Sequence, residues 1–197
     1  LLVGGGQARE GWLTRMAGDL AALRRDGAQV IVVSSGAIAL GAARLALPKG
    51  GRGSLADAQA AAAVGQIALA DLWSRALGGE GITAAQMLLT LGDLEDRRRY
   101  LNSRATMETL LGLGVVPIVN ENDTVSIKEI AVGDNDQLAS MLATLLPEPL
   151  LVILSGIAGL YDGPPSNPAS KVVPLVEKPD ESLLKLVAAE QSTRGRG

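Results

Sequence analysis

The sequence predicts an α/β fold on a mainly parallel sheet, and three observations carry that prediction. Hydrophobic residues make up 47% of the chain but aromatics only 2%, with no Phe, so the core is built from Leu, Val, Ile and Ala, as where helices pack on a buried sheet. Continuous aliphatic runs at Val30-Ile31-Val32-Val33 and Leu150–Leu154 read as strands buried on both faces. Segments with helical spacing separate such runs, and strands alternating with helices pair in parallel through right-handed crossovers.

The elements follow in order. From Ala8 to Arg25, Trp12, Met16, Leu20 and Leu23 recur at helical spacing, and Gly27 supplies the stop. The strand Val30–Val33 ends at Ser34-Ser35-Gly36 and leads into a helical stretch, Ala37–Leu45. Leu55–Leu77 is Ala-rich, broken only by Gly65, and reads as a long helix whose small side chains permit close packing. Ile82–Leu89 reads as a strand, and Asp93–Leu111 as one helix with Tyr100, Met107 and Leu111 on one face, ended by Gly112 and Gly114. Val115–Val119 is a short strand. Asp134-Asn135-Asp136 stands before Leu138, Met141, Leu142 and Leu145, where a helix takes acidic caps. Gly156–Ser170, carrying Pro164, Pro165 and Pro168, reads as a loop, and Asp180 or Glu181 starts a last helix through Glu190.

At 197 residues one domain is expected. The formal charge is −3 with both signs interspersed, so no field attracts a polyanion and nucleic acid is excluded as a partner. Without Cys or His there is no disulfide, thiolate or imidazole, and any chemistry rests on carboxylates, hydroxyls, amides, lysines and bound ions. The longest apolar stretches fall far short of the ~20 residues a membrane helix needs, which gives the expectation of a cytoplasmic protein. The chain opens on Leu1-Leu2-Val3 without Met, so residues are expected upstream.

Parallel α/β sheets bind ligands beyond the carboxyl ends of their strands. Three such ends are polar or glycine-rich: Ser34-Ser35-Gly36, Asn120-Glu121-Asn122-Asp123 and Ser155-Gly156. The first offers hydroxyls and amides at a helix N-terminus, a seat for an anion, although a serine cap accounts for the same residues. The second concentrates carboxylates and amides that suit an amino group or a cation, or else form a solvated turn. Asp134-Asn135-Asp136 either caps its helix or orients cationic groups near phosphates. Gly4-Gly5-Gly6 and Gly195-Arg196-Gly197 are candidate phosphate-cradling loops, but no stretch has the spacing of a P-loop or a Rossmann fingerprint.

The ordered set Val32-Val33-Ser34-Ser35-Gly36-Ala37-Ile38, Ala62-Ala63-Val64-Gly65-Gln66, Gln86–Thr90, Val119-Asn120-Glu121-Asn122-Asp123 and Val132-Gly133-Asp134-Asn135-Asp136 resembles the glutamate 5-kinases over nearly all of the chain. The resemblance implies a three-layer αβα sandwich, the amino-acid kinase fold, as one domain over 1–197. It implies ATP and Mg2+ as cofactors and phosphorylation of the side-chain carboxylate of L-glutamate to L-glutamyl 5-phosphate, the first step of proline biosynthesis. Ser35, Asp123 and Asn135 would bind glutamate, with backbone contacts from Gly36 and Ala37. Asp136 would organise the phosphate-binding lysines. Ser155 and Gly156 would contact the nucleotide, Gly156 standing where the family has an acid, and so would Gly195, Arg196 and Gly197. No residue is assigned as a metal ligand. The family's two lysines, in a Lys-x-Gly and a Gly-Gly-Met-x-x-Lys element, are expected just outside either end, and Lys128, Lys171 and Lys178 do not occupy their places. The resemblance also implies proline as feedback inhibitor and a homo-oligomer, dimer or tetramer; no RNA-binding-like PUA domain, common among relatives, is read within the chain.

Three other readings stand beside this one. Another amino-acid kinase, acting on N-acetylglutamate, uridylate or carbamate, would share sheet and nucleotide site, although the paired polar loops suit a free ammonium better than an acylated nitrogen. A catalytically silent chain that binds glutamate or proline would keep the pocket without the lysines. A plain α/β structural domain would use each polar strand end as a cap or turn.

Overall fold

The structure is a computed structural model that describes residues 2–4, 6–125, 134–178 and 181. It contains two compact units, Leu2–Val152 and a second that begins at Ile153. In the first, a short antiparallel hairpin, β1 (Val3–Gly4) with β2 (Gln7–Ala8), leads into α1 (Glu10–Arg25). There follow β3 (Val32–Val33), α2 (Ala37–Arg44), α3 (Leu55–Gly78), β4 (Ala84–Leu89), α4 (Leu91–Glu95), α5 (Arg97–Gly112), β5 (Val116–Glu121) and α6 (Asp134–Ala143).

Strands β3, β5 and β4 form a parallel sheet in that order, with Val33 opposite Val119 and Met87 opposite the same residue on the other side. β5 is central and buried along its length. Successive side chains of a strand point to opposite faces. Accordingly Val116 and Ile118 pack with Leu13, Ala17, Leu69, Leu72 and Trp73 from α1 and α3. On the other face Val119 joins Met87, Leu89, Met107, Leu111, Leu138 and Leu142, drawing in α5 and α6. Helices therefore cover both faces, and the α/β expectation holds as three layers.

Helix α3 packs on α2 through small residues. A methyl added at Gly65 would overlap the Ala37 carbonyl oxygen and lie 2.6 Å from the Gly41 nitrogen. The two backbones touch there, which fixes the start of α2 against the middle of α3.

Several sequence expectations are corrected. The helix expected over 93–111 is two helices. Thr90 and Asp93 form a reciprocal capping box at the head of α4, and extended Asp96 then accepts hydrogen bonds from the Arg98 and Arg99 N–H groups to start α5. The Val30–Val33 run contributes only Val32 and Val33 to the ladder and is half-buried, because β3 lies at the edge of this sheet. Leu150–Leu154 forms no strand, and all five residues are exposed. Among the described residues no strand edge pairs with it, and aliphatic character without a ladder partner leaves its backbone in solvent. Gly4 lies in β1 and Gly6 in the hairpin turn, with a left-handed φ of 77°. In the second unit, Gly156–Ser170 is irregular as expected, closed by a bridge between Tyr161 and Val172. The last helix, apart from Glu181, and Gly195, Arg196 and Gly197 lie outside the described residues, as does Lys128.

Candidate active site

The carboxyl ends of β3 and β5 meet the start of α6 in a chain of hydrogen bonds. Asn135, in the first turn of α6, donates from Nδ2 to Ser35 Oγ at 2.6 Å and to Asn120 Oδ1 at 2.9 Å. Its Oδ1 accepts from the Glu121 backbone N–H at 3.3 Å. Asn120 in turn donates from Nδ2 to Gln66 Oε1 on α3 at 2.7 Å. Beside this chain, Trp73 Nε1 donates to Ser34 Oγ at 2.8 Å. The buried polar residues among those described are Ser34, Gln66, Asn120 and Glu121, all at this end of the sheet. Burying such groups is costly unless they are bonded, and no buried side-chain nitrogen or oxygen among the described residues lacks a partner.

The expectation that the polar loop begins just past residue 119 is corrected here. β5 runs on through Asn120 and Glu121, paired with Leu88 and Leu89, and the Asn122 N–H bonds the Leu89 carbonyl. Polar side chains end a strand without ending its ladder when side-chain partners are at hand.

Neither serine caps α2. Its N-cap is Gly36, which makes no side-chain cap hydrogen bond. Gly36 has φ 126° and would carry a Cβ only 2.7 Å from Val3 Cγ2, so both conformation and space demand glycine. The first amides of α2 thus follow a glycine turn that caps them with no side-chain hydrogen bond, an arrangement suited to negative charge.

The family model described as the Amino acid kinase family matches residues 2–195. The chain belongs to the amino acid kinase family. It is 55% identical over 193 residues to a protein named glutamate 5-kinase from Sphingopyxis alaskensis, covering 98% of this chain and 52% of that protein. A glutamate 5-kinase from Novosphingobium aromaticivorans is 56% identical over 178 residues, covering 90% of this chain and 47% of its own length. One from Rhodopseudomonas palustris is 51% identical over 195 residues, with 98% and 52% covered. The chain therefore spans about half the length of the curated relatives it matches.

In this amino acid kinase chain, Ser35, Gly36, Ala37 and Asn135 come together at the carboxyl ends of the strands. Ser35 and Asp136 are exposed, while Asn135 and Asp123, in the turn after β5, are half-buried. Ser155 and Gly156 belong to the second unit, where the Ser155 hydroxyl bonds the Ile157 carbonyl at 2.9 Å. The sequence reading named Asn120 only as part of a polar strand end and gave Gln66 no part in this cluster. The signal for Gln66 was available: it is a polar residue within the buried Ala61, Gly65, Leu69, Leu72 stripe of α3. A groove of about 290 Å3 between α3 and β4, lined by Ala70, Asp71, Ser74, Ala84, Ala85, Gln86 and Ile118, shares no residue with the hydrogen-bonded chain.

Proposed function

We propose that the chain is the kinase domain of an enzyme that transfers the γ-phosphoryl group of ATP to the side-chain carboxylate of L-glutamate, giving L-glutamyl 5-phosphate and ADP in the first step of proline biosynthesis. The observation that carries it is the 2.6 Å hydrogen bond joining Asn135 to Ser35, residues 100 apart in sequence, at the strand ends where α/β folds bind ligands. Because Ser35 Oγ accepts from Asn135, its own proton is available for an acceptor, and a carboxylate is such a ligand group. The names of the relatives point the same way.

In this reading Ser35, Asp123 and Asn135 hold glutamate, and the Gly36 and Ala37 backbone faces the reacting carboxylate. That carboxylate is ionised at neutral pH, so it attacks the γ-phosphorus in line without a general base, and its bond forms as the bond to ADP breaks. Catalysis then rests on alignment and on amide and cationic donors around the transferring group. Asp136 orients the lysines that bind the phosphates, while Ser155, Gly156, Gly195, Arg196 and Gly197 serve the nucleotide. Mg2+ travels with nucleotide phosphates, and among the described residues no three acidic side chains gather to hold an ion.

We also read the protein as a cytoplasmic homo-oligomer, dimer or tetramer, inhibited by proline at or near the glutamate site. Among the described residues no helix is long and apolar enough to cross a membrane. The test is a coupled assay of ADP release on this chain and on the chain extended at both ends to the length of its relatives. Glutamate, N-acetylglutamate, uridylate and carbamate are compared. Turnover with glutamate alone is expected; turnover with another of the four, or none with glutamate in either form, overturns the reading.

A further inference from the structure

We infer that Gln66 is a positioning residue of this site, one that sets the orientation of Asn120 and, through it, of Asn135 and Ser35. The inference rests on the glutamate reading only for its binding readout.

The polarity of the chain is fixed at one end by a group that cannot reverse. The Glu121 backbone N–H can only donate, so the Asn135 atom facing it is Oδ1. Asn135 Nδ2 therefore faces Ser35 Oγ and Asn120 Oδ1, and Asn120 presents its Nδ2 to Gln66. Gln66 Oε1 closes the series as acceptor at 2.7 Å. Each carboxamide has two orientations related by a half-turn, and only partners choose between them. Without an acceptor at position 66, Asn120 loses one of its two orienting partners and its buried Nδ2 loses this acceptor, so only the bond from Asn135 Nδ2 still opposes a half-turn. If it turned over, an amino group would face Asn135 Nδ2, donor against donor, and the bond to Ser35 would be disturbed.

Gln66 is itself held firmly. It is 9% exposed, and its neighbour Gly65 is the residue through which α3 touches the Ala37 carbonyl. The same backbone contact thus places both the start of α2 and the Gln66 side chain. An apolar residue of the same size would fill this position at no polar desolvation cost, so packing alone does not account for glutamine.

The experiment uses the 197-residue chain with Gln66→Met, which keeps the volume and removes the acceptor, and Gln66→Glu, which restores an acceptor at the same atom. Two readouts are followed: the side-chain amide signals of Asn120 and Asn135 by nitrogen-15 NMR, and the dissociation constant for L-glutamate by calorimetry. In Gln66→Met the Asn135 amide signals are expected to shift, although Asn135 does not touch residue 66, and glutamate binding to weaken about tenfold. Gln66→Glu is expected to recover most of the loss. Unchanged Asn135 signals and affinity in folded Gln66→Met overturn the inference. Should the variants fail to fold, the parent decides: the Asn120 side-chain amide protons are expected to exchange at least about tenfold more slowly than a free carboxamide, and unprotected exchange overturns the inference. A parent that binds no glutamate counts against the proposed function, and the amide signals then decide the role of Gln66 alone.

Discussion

Replacing Gly65 by alanine tests how closely the site depends on the contact between α2 and α3. The new methyl would overlap the Ala37 carbonyl oxygen and sit 2.6 Å from the Gly41 nitrogen and 2.7 Å from the Ala37 carbonyl carbon. Real Cβ contacts stay above 3.0 Å, so the helices have to separate. Helix propensity favours alanine by about 1 kcal/mol in a helix interior. Overpacking costs about 1–3 kcal/mol, and the upper end applies because the obstacle is backbone, which has no rotamer to give. The net is a loss of about 2 kcal/mol, or roughly 4–8 °C in Tm for a unit of this size. Urea and thermal unfolding followed by far-UV circular dichroism measure it. Gly78→Ala, on the same helix with nothing within 4 Å of its new methyl, is the control and should be neutral or slightly stabilising. A Gly65→Ala chain as stable as its parent would refute the close-contact reasoning.

Three further predictions concern single interactions. Ser34→Ala leaves the buried Trp73 indole N–H without its acceptor and should cost about 1–3 kcal/mol, with a changed Trp73 emission in a Trp12→Phe background; unaltered emission and stability would contradict the bond. Asp96→Ala removes the acceptor for two N–H groups at the head of α5 and should cost about 1 kcal/mol in urea unfolding. Burial raises the Asp93 carboxyl, but hydrogen bonds from the Thr90 hydroxyl and N–H and from Arg99 outweigh it and hold the pKa below its ordinary 3.8. A depressed folded-state pKa gives stability that is present above about pH 3.8 and is lost as pH falls through the folded value, so Asp93→Asn should flatten the acid side of a Tm-versus-pH curve, and an unchanged slope there would count against the capping box.

Much of the fold was legible because its signals are local. Helical spacing with a glycine stop gave α1, Ala-rich composition gave α3, acidic caps before spaced Leu and Met gave α6, and the aliphatic run at 115–119 gave the core of β5. The failures share a cause: what decides them lies elsewhere in the chain. Asp96 reads as an ordinary acid within a helical pattern until its side chain is seen turning onto the Arg98 and Arg99 amides. Leu150–Leu154 reads as a buried strand, but a strand is a relation between two segments, and no partner edge meets it among the described residues. Asn120 and Glu121 read as loop because polar residues rarely stay in a buried ladder; Gln66 and Asn135, 54 and 15 residues from Asn120, are what allow Asn120 to stay. Ser35, Gly36, Ala37 and Asn135 were legible as a strand end and a helix start, while their roles toward glutamate came from the resemblance alone. Gln66 was legible only as a polar residue within the apolar stripe of α3, because nothing local names its partner, Asn120, 54 residues away.

The most direct test of the central claim is a calorimetric titration of L-glutamate into the chain, repeated with N-acetylglutamate and with Asn135→Ala. One glutamate site is expected, with a much weaker response to N-acetylglutamate and loss of most of the glutamate affinity in Asn135→Ala with the fold retained. Equal binding by Asn135→Ala and its parent, or a preference for the acetylated compound, would contradict it.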